Sequence, residues 1–246
     1  MKYTLLFMLS FVLLSCNEKE TKSLDADEII NKTIEVSGVK KLNTSILTFD
    51  FRNKSYVAAR FNGNYEFQRR YSDSVNDIRD FLNNKGFERY LNDSVVSVPD
   101  SMATKYASSI NSVHYFAVLP HGLDGKAVNK AYLNDVEIKG KRYHKIKVTF
   151  DKNGGGEDYD DEFIYWIDNK TNKIDYLAYS YNEDDGKGLR FREAYNERYI
   201  KDVRFVDYNN YEPKRKDATL ENLDELFEEN QLKLLSKIEL KNIKIN

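Results

Sequence analysis

Between Arg142 and Tyr211 the chain carries five segments, RYHKIKVTF, DEFIYWID, KIDYLAYSY, GLRFREAYN and VRFVDYNNY, each dense in aromatic and β-branched residues. The breaks between them (DKNGGGEDYD, NKTN, NEDDGK and NERYIKD) hold the Asn, Asp and Gly that tight turns require. This run excludes a helical bundle and predicts consecutive antiparallel strands, a β-meander. In Phe163–Ile167 and Tyr176–Tyr181 both alternating faces hold large side chains. A strand apolar on both faces is covered on both, so helix is expected against one side of this sheet, and curvature around something on the other.

The preceding residues extend the pattern. SILTFDFR, SYVAARFN, NYEFQRRYS, DIRDFLN and GFERYLN read as short strands joined at Asn53-Lys54, Asn62-Gly63 and Asn83-Asn84-Lys85-Gly86, and Asn-Gly is a strong hairpin signal. They are expected to continue the later meander into one large antiparallel sheet. Three stretches take a helical period instead. Leu24 to Gly38 has Asp25 as a cap with Glu28 three residues on, a staple of Leu24 on Ile29, and Ala26, Ile29, Ile30, Thr33, Ile34 and Ser37 along one stripe. Pro99 to Leu119 places Met102, Ala103, Tyr106, Ile110, Val113 and Ala117 at helical spacing before Pro120 stops it. His114, Tyr115 and Phe116 widen that apolar face, so this helix is expected to be covered on more than one side, inside the curved sheet. Thr219 to Glu228 is the third, with Leu223, Leu226 and Phe227 inward; Asp124 to Tyr132 reads as a further short helix, and Gln231 to Ile245 as one final edge strand with an irregularity. The fold class is therefore mainly β (α+β): a curved antiparallel sheet or incomplete β-barrel, covered or plugged by two or three helices.

The start of the chain is a separate device. Lys2 gives a positive region, Leu5 to Leu14 an apolar run, and Leu13-Leu14-Ser15-Cys16 ends it. The run is shorter than the ~20 residues of a bilayer span, and the whole resembles a bacterial lipoprotein signal. That resemblance implies removal of residues 1–15, acylation (palmitate among the chains) of Cys16, and a membrane anchor. Residues 17–24, NEKETKSL, have no apolar period and read as a flexible tether; residues 25–246 follow as one domain. Cys16 is the one cysteine of the 246 residues, so no intramolecular disulfide can form. Asn17 in place of Asp implies the outer membrane, with Glu18 and Glu20 leaving periplasmic and surface-facing orientations both open.

A net charge of -2 supplies no basic field for nucleic acid. Catalytic patterns are sparse. Neither His114, His121 nor His144 stands in a zinc-protease pattern, and no G-x-S-x-G elbow is present. No cofactor is implied. The one metal candidate is calcium: Asp151, Asn153, Gly156 and Glu162 fall at positions 1, 3, 6 and 12 of an EF-hand-like loop. Gly155 at position 5 brings no side-chain oxygen and strands flank the loop, so it reads first as an acidic hairpin connection. Arg190 and Arg192 project from one strand face, and His144 shares a face with Ile146, Val148 and Phe150. These charges either pair across strands with Glu193, Asp160, Asp161 or Asp175, or bind an anionic head group.

The stretches NSVHYFAVLPHGL (Asn111 to Leu123), KVTFDKNGGGEDYDDEFIYWID (Lys147 to Asp168), DYLAYSY (Asp175 to Tyr181) and RFREAYN (Arg190 to Asn196) resemble an uncharacterised family of bacterial envelope lipoproteins, a domain of unknown function, from about Ala26 to Tyr211. The order of helix, antiparallel sheet and inserted helix also resembles, more distantly, the Lol-type lipoprotein carrier and receptor fold. That likeness implies an incomplete barrel whose apolar concave face holds acyl chains. The expectation is a non-enzymatic lipoprotein binding an apolar or amphiphilic ligand with His144, Tyr165, Trp166, Tyr176, Tyr179, Arg190 and Arg192. An envelope sugar or lipid hydrolase and a protein-interaction module are the alternatives.

Overall fold

In the computed structural model, residues 25–155, 159–183 and 186–246 are described. Strands β1 (Thr44–Phe51), β2 (Lys54–Phe61), β3 (Asn64–Ser72), β4 (Asp77–Asn83), β5 (Gly86–Leu91) and β6 (Ser94–Val96) follow helix α1 (Ala26–Ser37). Helix α2 (Asp100–Ala117) separates them from β7 (Val128–Ile138), β8 (Lys141–Phe150), β9 (Glu162–Asp168), β10 (Ile174–Glu183), β11 (Gly186–Ile200) and β12 (Val203–Pro213). Helix α3 (Leu223–Glu228), β13 (Leu232–Ile238) and β14 (Leu240–Ile245) complete the chain. The turns obey local chemistry: Asn62 and Gly63 both adopt positive φ, 48° and 81°, as the hairpin turn matching strand twist demands.

The two meanders do not merge. Among the described residues they form two seven-stranded antiparallel sheets, ordered β14-β1-β2-β3-β4-β5-β6 and β13-β12-β11-β10-β9-β8-β7, and these do not close into a barrel. The chain passes between them at Glu239. The expected single final strand is therefore two, β13 at one edge of the second sheet and β14 at one edge of the first. A carboxylate builds the seam. Buried Asp207 on β12 accepts from the Leu240 N–H at 3.0 Å, from Arg198 at 2.9 Å and from Asn196 at 2.6 Å, and Arg198 also donates to the Leu240 carbonyl. A bulge between Tyr195 and Arg198 brings Arg198 there.

The second expected revision concerns residues 124–132. They form turns and then the start of β7, which pairs with β8 from Val128 opposite Phe150. The stripe of apolar residues in that stretch was compatible with either period, and pairing along the free edge of β8 satisfies the backbone that a short isolated helix would leave open.

Helix α1 begins with Asp25 accepting from the Asp27 N–H and ends at Gly38, whose φ is 67°. Its buried stripe is the predicted one, Ala26, Ile29, Ile30, Thr33, Ile34 and Ser37. It lies against the second sheet's inner face between Lys130, which meets Asp27 at 2.9 Å, and the β11–β12 turn beneath Gly38. One core joins this stripe to the inner faces of both sheets, through residues such as Leu47, Phe49, Ile146, Tyr165 and Phe205. A second core covers the opposite face of the second sheet, where Leu220, Leu223 and Leu226 pack on Tyr143, Trp166 and Phe191. This explains why β9 is apolar on both faces.

Candidate functional site

Helix α2 stands between the sheets. Ala107 and Ile110 pack on Leu82 and Phe67 of the first sheet, while on the other side Tyr115 and Phe116 reach Phe163, Phe150 and Tyr179 of the second. The Tyr115 and Tyr165 hydroxyls bond at 2.6 Å, and burial raises both above the ordinary phenol range. His114, one residue earlier, turns back to the first sheet. It stacks on Phe67 at 4.4 Å, edge-on to Phe49 and Tyr56, with Nε2 3.3 Å from the Gln68 carbonyl. Burial, and then Arg60, lower its pKa to about 3, so the ring is neutral.

The helix leaves space on its flanks. A cavity of about 530 Å³ adjoins Arg60, Tyr65, Phe67 and His114. A second, about 450 Å³, runs along Tyr115, Phe116, Val128, Phe150 and Phe163, and the two share Tyr65, Phe67, Asn111, Tyr115 and His121 on their walls. A smaller one, about 190 Å³, lies by Val113, Phe116, Tyr208 and Arg192 near the seam. Spaces of the first two sizes suit a small molecule or part of a long one.

The arrangement of a helix between two antiparallel sheets has counterparts among proteins of known structure. The chain belongs to a family of unknown function, DUF6503, matched over residues 2–240. The match runs past both ends of the motifs between Ala26 and Tyr211. No curated protein matches the sequence. Among solved structures, a LolA superfamily protein from Nitrosomonas europaea superposes with a TM-score of 0.51 at 11% identity, covering 91% of this chain and 94% of that one. A DUF1329 family protein from Desulfovibrio piger reaches a TM-score of 0.44 at 7% identity over 90% and 93%, and the lipoprotein LppX of Mycobacterium tuberculosis 0.28 at 10% over 64% and 90%. The LolA superfamily likeness identifies the fold: DUF6503 here is built on the Lol-type plan.

Within the DUF6503 chain the residues singled out by sequence part into two groups. Tyr165, Tyr179, His144, Arg190 and Arg192 lie on the inner face of the second sheet, whereas Trp166 and Tyr176 lie on its outer face under Phe227 and Asp224. Alternation in β9 makes this unavoidable, because adjacent residues point oppositely. Trp166 Nε1 donates to Asp224, which also holds the buried Lys145 at 2.9 Å; this is a structural pairing. Arg192 is 7% exposed and stacks on Phe116 at 3.8 Å. It donates to the Tyr179 hydroxyl at 2.8 Å and to Asn210, leaving Nη1 buried without a partner. Glu193, offered by sequence as its counter-charge, points to the other face and meets Lys139 and Tyr211. Arg190 lies over the Tyr181 ring.

The histidines take different places. His144 Nδ1 bonds Asp135 at 2.6 Å, and Asp135 also accepts from Tyr132. His121 lines the two larger cavities and bonds Asn43 at 2.9 Å rather than a carboxylate; burial lowers its pKa to about 4. The calcium-like loop lies partly outside the described residues, Gly156 included. Of the rest, Asp151 accepts from Asn129 and Glu162 meets Lys147 at 3.3 Å. No metal-holding cluster of His, Cys, Asp and Glu occurs among the described residues. Of the ligand-binding residues expected from sequence, Arg192 alone lines one of the three spaces beside α2, and Arg60, Val128, Phe150 and Phe163 are lining residues that sequence reading did not place in the site.

Proposed function

We propose that this chain is a non-enzymatic envelope lipoprotein that holds an amphiphilic ligand between its two sheets, with the apolar portion of the ligand along the α2 flank at Phe116, Val128, Phe150 and Phe163. The observation that carries this reading is the aromatic-walled space beside α2. Concave spaces of several hundred Å³ with aromatic walls and a few polar groups are the usual form of a small-molecule site. The Lol-type plan, common to a LolA superfamily protein, supports it. In the same reading Cys16 is acylated, residues 17–24 tether residues 25–246 as one unit, and the anchor lies in the outer membrane.

Mass spectrometry of the protein purified from its native envelope should find an amphiphile bound in near-equal amount. A fluorescent long-chain fatty-acid probe should bind the stripped protein and be displaced by unlabelled fatty acid. A protein that carries no amphiphile and takes up no probe is not a lipid binder, and the reading fails.

A further inference from the structure

The arginines that leave solvent divide into two kinds. Arg69 and Arg89 share Asp80, Arg198 meets Asp207, and Arg204 lies between Glu197 and Asp175. Arg60 and Arg192 meet no carboxylate among the described residues, and each keeps a buried Nη1 without a hydrogen-bond partner. Both line cavities beside α2. A guanidinium removed from water without a counter-charge is costly, and the fold has met that cost everywhere except beside its open spaces.

Of the two, Arg60 has the emptier surroundings. Arg192 is held by Tyr179 and Asn210, whereas Arg60 rests on the Phe67 ring at 5.0 Å. Burial alone depresses its pKa, to about 10. The thirteen residues around its cavity include Asn62, Asn64 and Asn111 and not one Asp or Glu, in a chain with 40 acidic residues. Glu66 is near in sequence but alternates to the opposite side of β3 from Tyr65 and Phe67, where Gln68 donates to it. A cation with amide donors around it, a neutral imidazole behind it and no competing carboxylate is the composition of an anion site.

We propose that Arg60 receives the anionic group of the ligand, a single carboxylate or phosphate seated in the larger cavity among Asn62, Asn64 and Asn111. This rests on the amphiphile reading: the tail would continue past Tyr115 and Phe67, which wall both cavities. Arg60 supplies the paired N–H donors and the charge, and the asparagine amides complete the shell.

The test compares palmitate, hexadecyl phosphate, hexadecanol and inorganic phosphate on the full chain and on Arg60→Gln and Arg192→Gln. Wild type should bind the two charged amphiphiles about tenfold or more tightly than hexadecanol, as a charge-assisted contact implies. Arg60→Gln should erase that preference, leave hexadecanol binding unchanged, and melt at the same temperature as wild type or higher. Arg192→Gln should keep the preference. Equal binding of charged and neutral amphiphiles by wild type overturns the anion site while leaving the amphiphile reading intact, as does a preference lost in Arg192→Gln but kept in Arg60→Gln. Arg60-dependent binding of inorganic phosphate to which alkyl chains add nothing supports the anion site with a free anion as its source, and removes the lipid reading. If none of the four binds, both fall.

Discussion

His114 shows how one residue turns position into a measurable property. Its ring is buried among Phe49, Tyr56 and Phe67, and its pKa lies near 3 for that reason first and because of Arg60 second. An unfolded histidine titrates near ~6.5. Between these values the unfolded chain binds a proton that the folded chain refuses, so stability rises with pH. It is fully present above about pH 6.5 and lost toward pH 3, at about 1.4 kcal/mol per pH unit from this residue. His121, lowered to about 4, adds a slope of the same sign. The His114→Phe variant should keep the stacking, and its chemical denaturation midpoint should fall less steeply between pH 7 and 5 than that of wild type. Equal slopes would show that the imidazole is not held neutral by burial. Nothing in the sequence announced this: His114 belonged to an apolar helix face, but whether it faced solvent, metal or ring depended on which sheet the helix met. Arg60 was hidden for a related reason. It follows Ala58 and Ala59 at the end of a strand, where an arginine is ordinarily a solvated edge residue, and only the placing of α2 over β2 and β3 makes that face an interior. Arg192 was legible, because two arginines at i and i+2 on an aromatic strand share one face.

At the scale of elements, what was legible followed from local rules and what was not followed from long-range pairing. Helix α1 could be read to the residue from Asp25 to Gly38, since cap and stop are local. The stretch from Asp124 to Tyr132 could not, because the edge of β8 decides it. Nor could the break at Glu239: the sequence showed one irregularity in the alternation between Gln231 and Ile245, but not that β13 and β14 join different sheets. Gly38 tests how firmly α1 is fixed. At φ 67° a side chain is strained, and a Cβ there would stand 2.1 Å from the Asp202 carbonyl oxygen. The left-handed conformation alone costs about 1 kcal/mol, and the contact requires α1 or the β11–β12 turn to move. Gly38→Ala should therefore lose about 2 kcal/mol or more in denaturant titration. An unchanged midpoint would mean that α1 is not docked on that turn.

For the whole molecule, the sequence conveyed the class of architecture but joined the two meanders into one sheet. Strand periodicity reports which residues alternate, not which edges meet, and the open seam is closed by side chains, Asp207 and Arg198, instead of a continuous ladder. The consequence is a molecule whose two sheets share a core yet keep space around α2, which in the proposed reading is a ligand site held on a tether. The tether itself is the last thing to test. Cys16 and the rest of residues 1–24 lie outside the described residues, which begin with Asp25 as the cap of α1. A single acyl chain holds a protein to a bilayer only marginally, at about 0.8 kcal/mol per buried methylene, whereas several hold it firmly. Replacing Cys16 with Ser should then accumulate an unprocessed precursor or release the domain from membranes, with its melting temperature within a degree or so of wild type, because residues 17–24, NEKETKSL, have the composition of a tether and not of a core segment. Fractionation and a thermal melt read the two effects separately. Normal processing with undiminished membrane association in Cys16→Ser would exclude the lipid anchor.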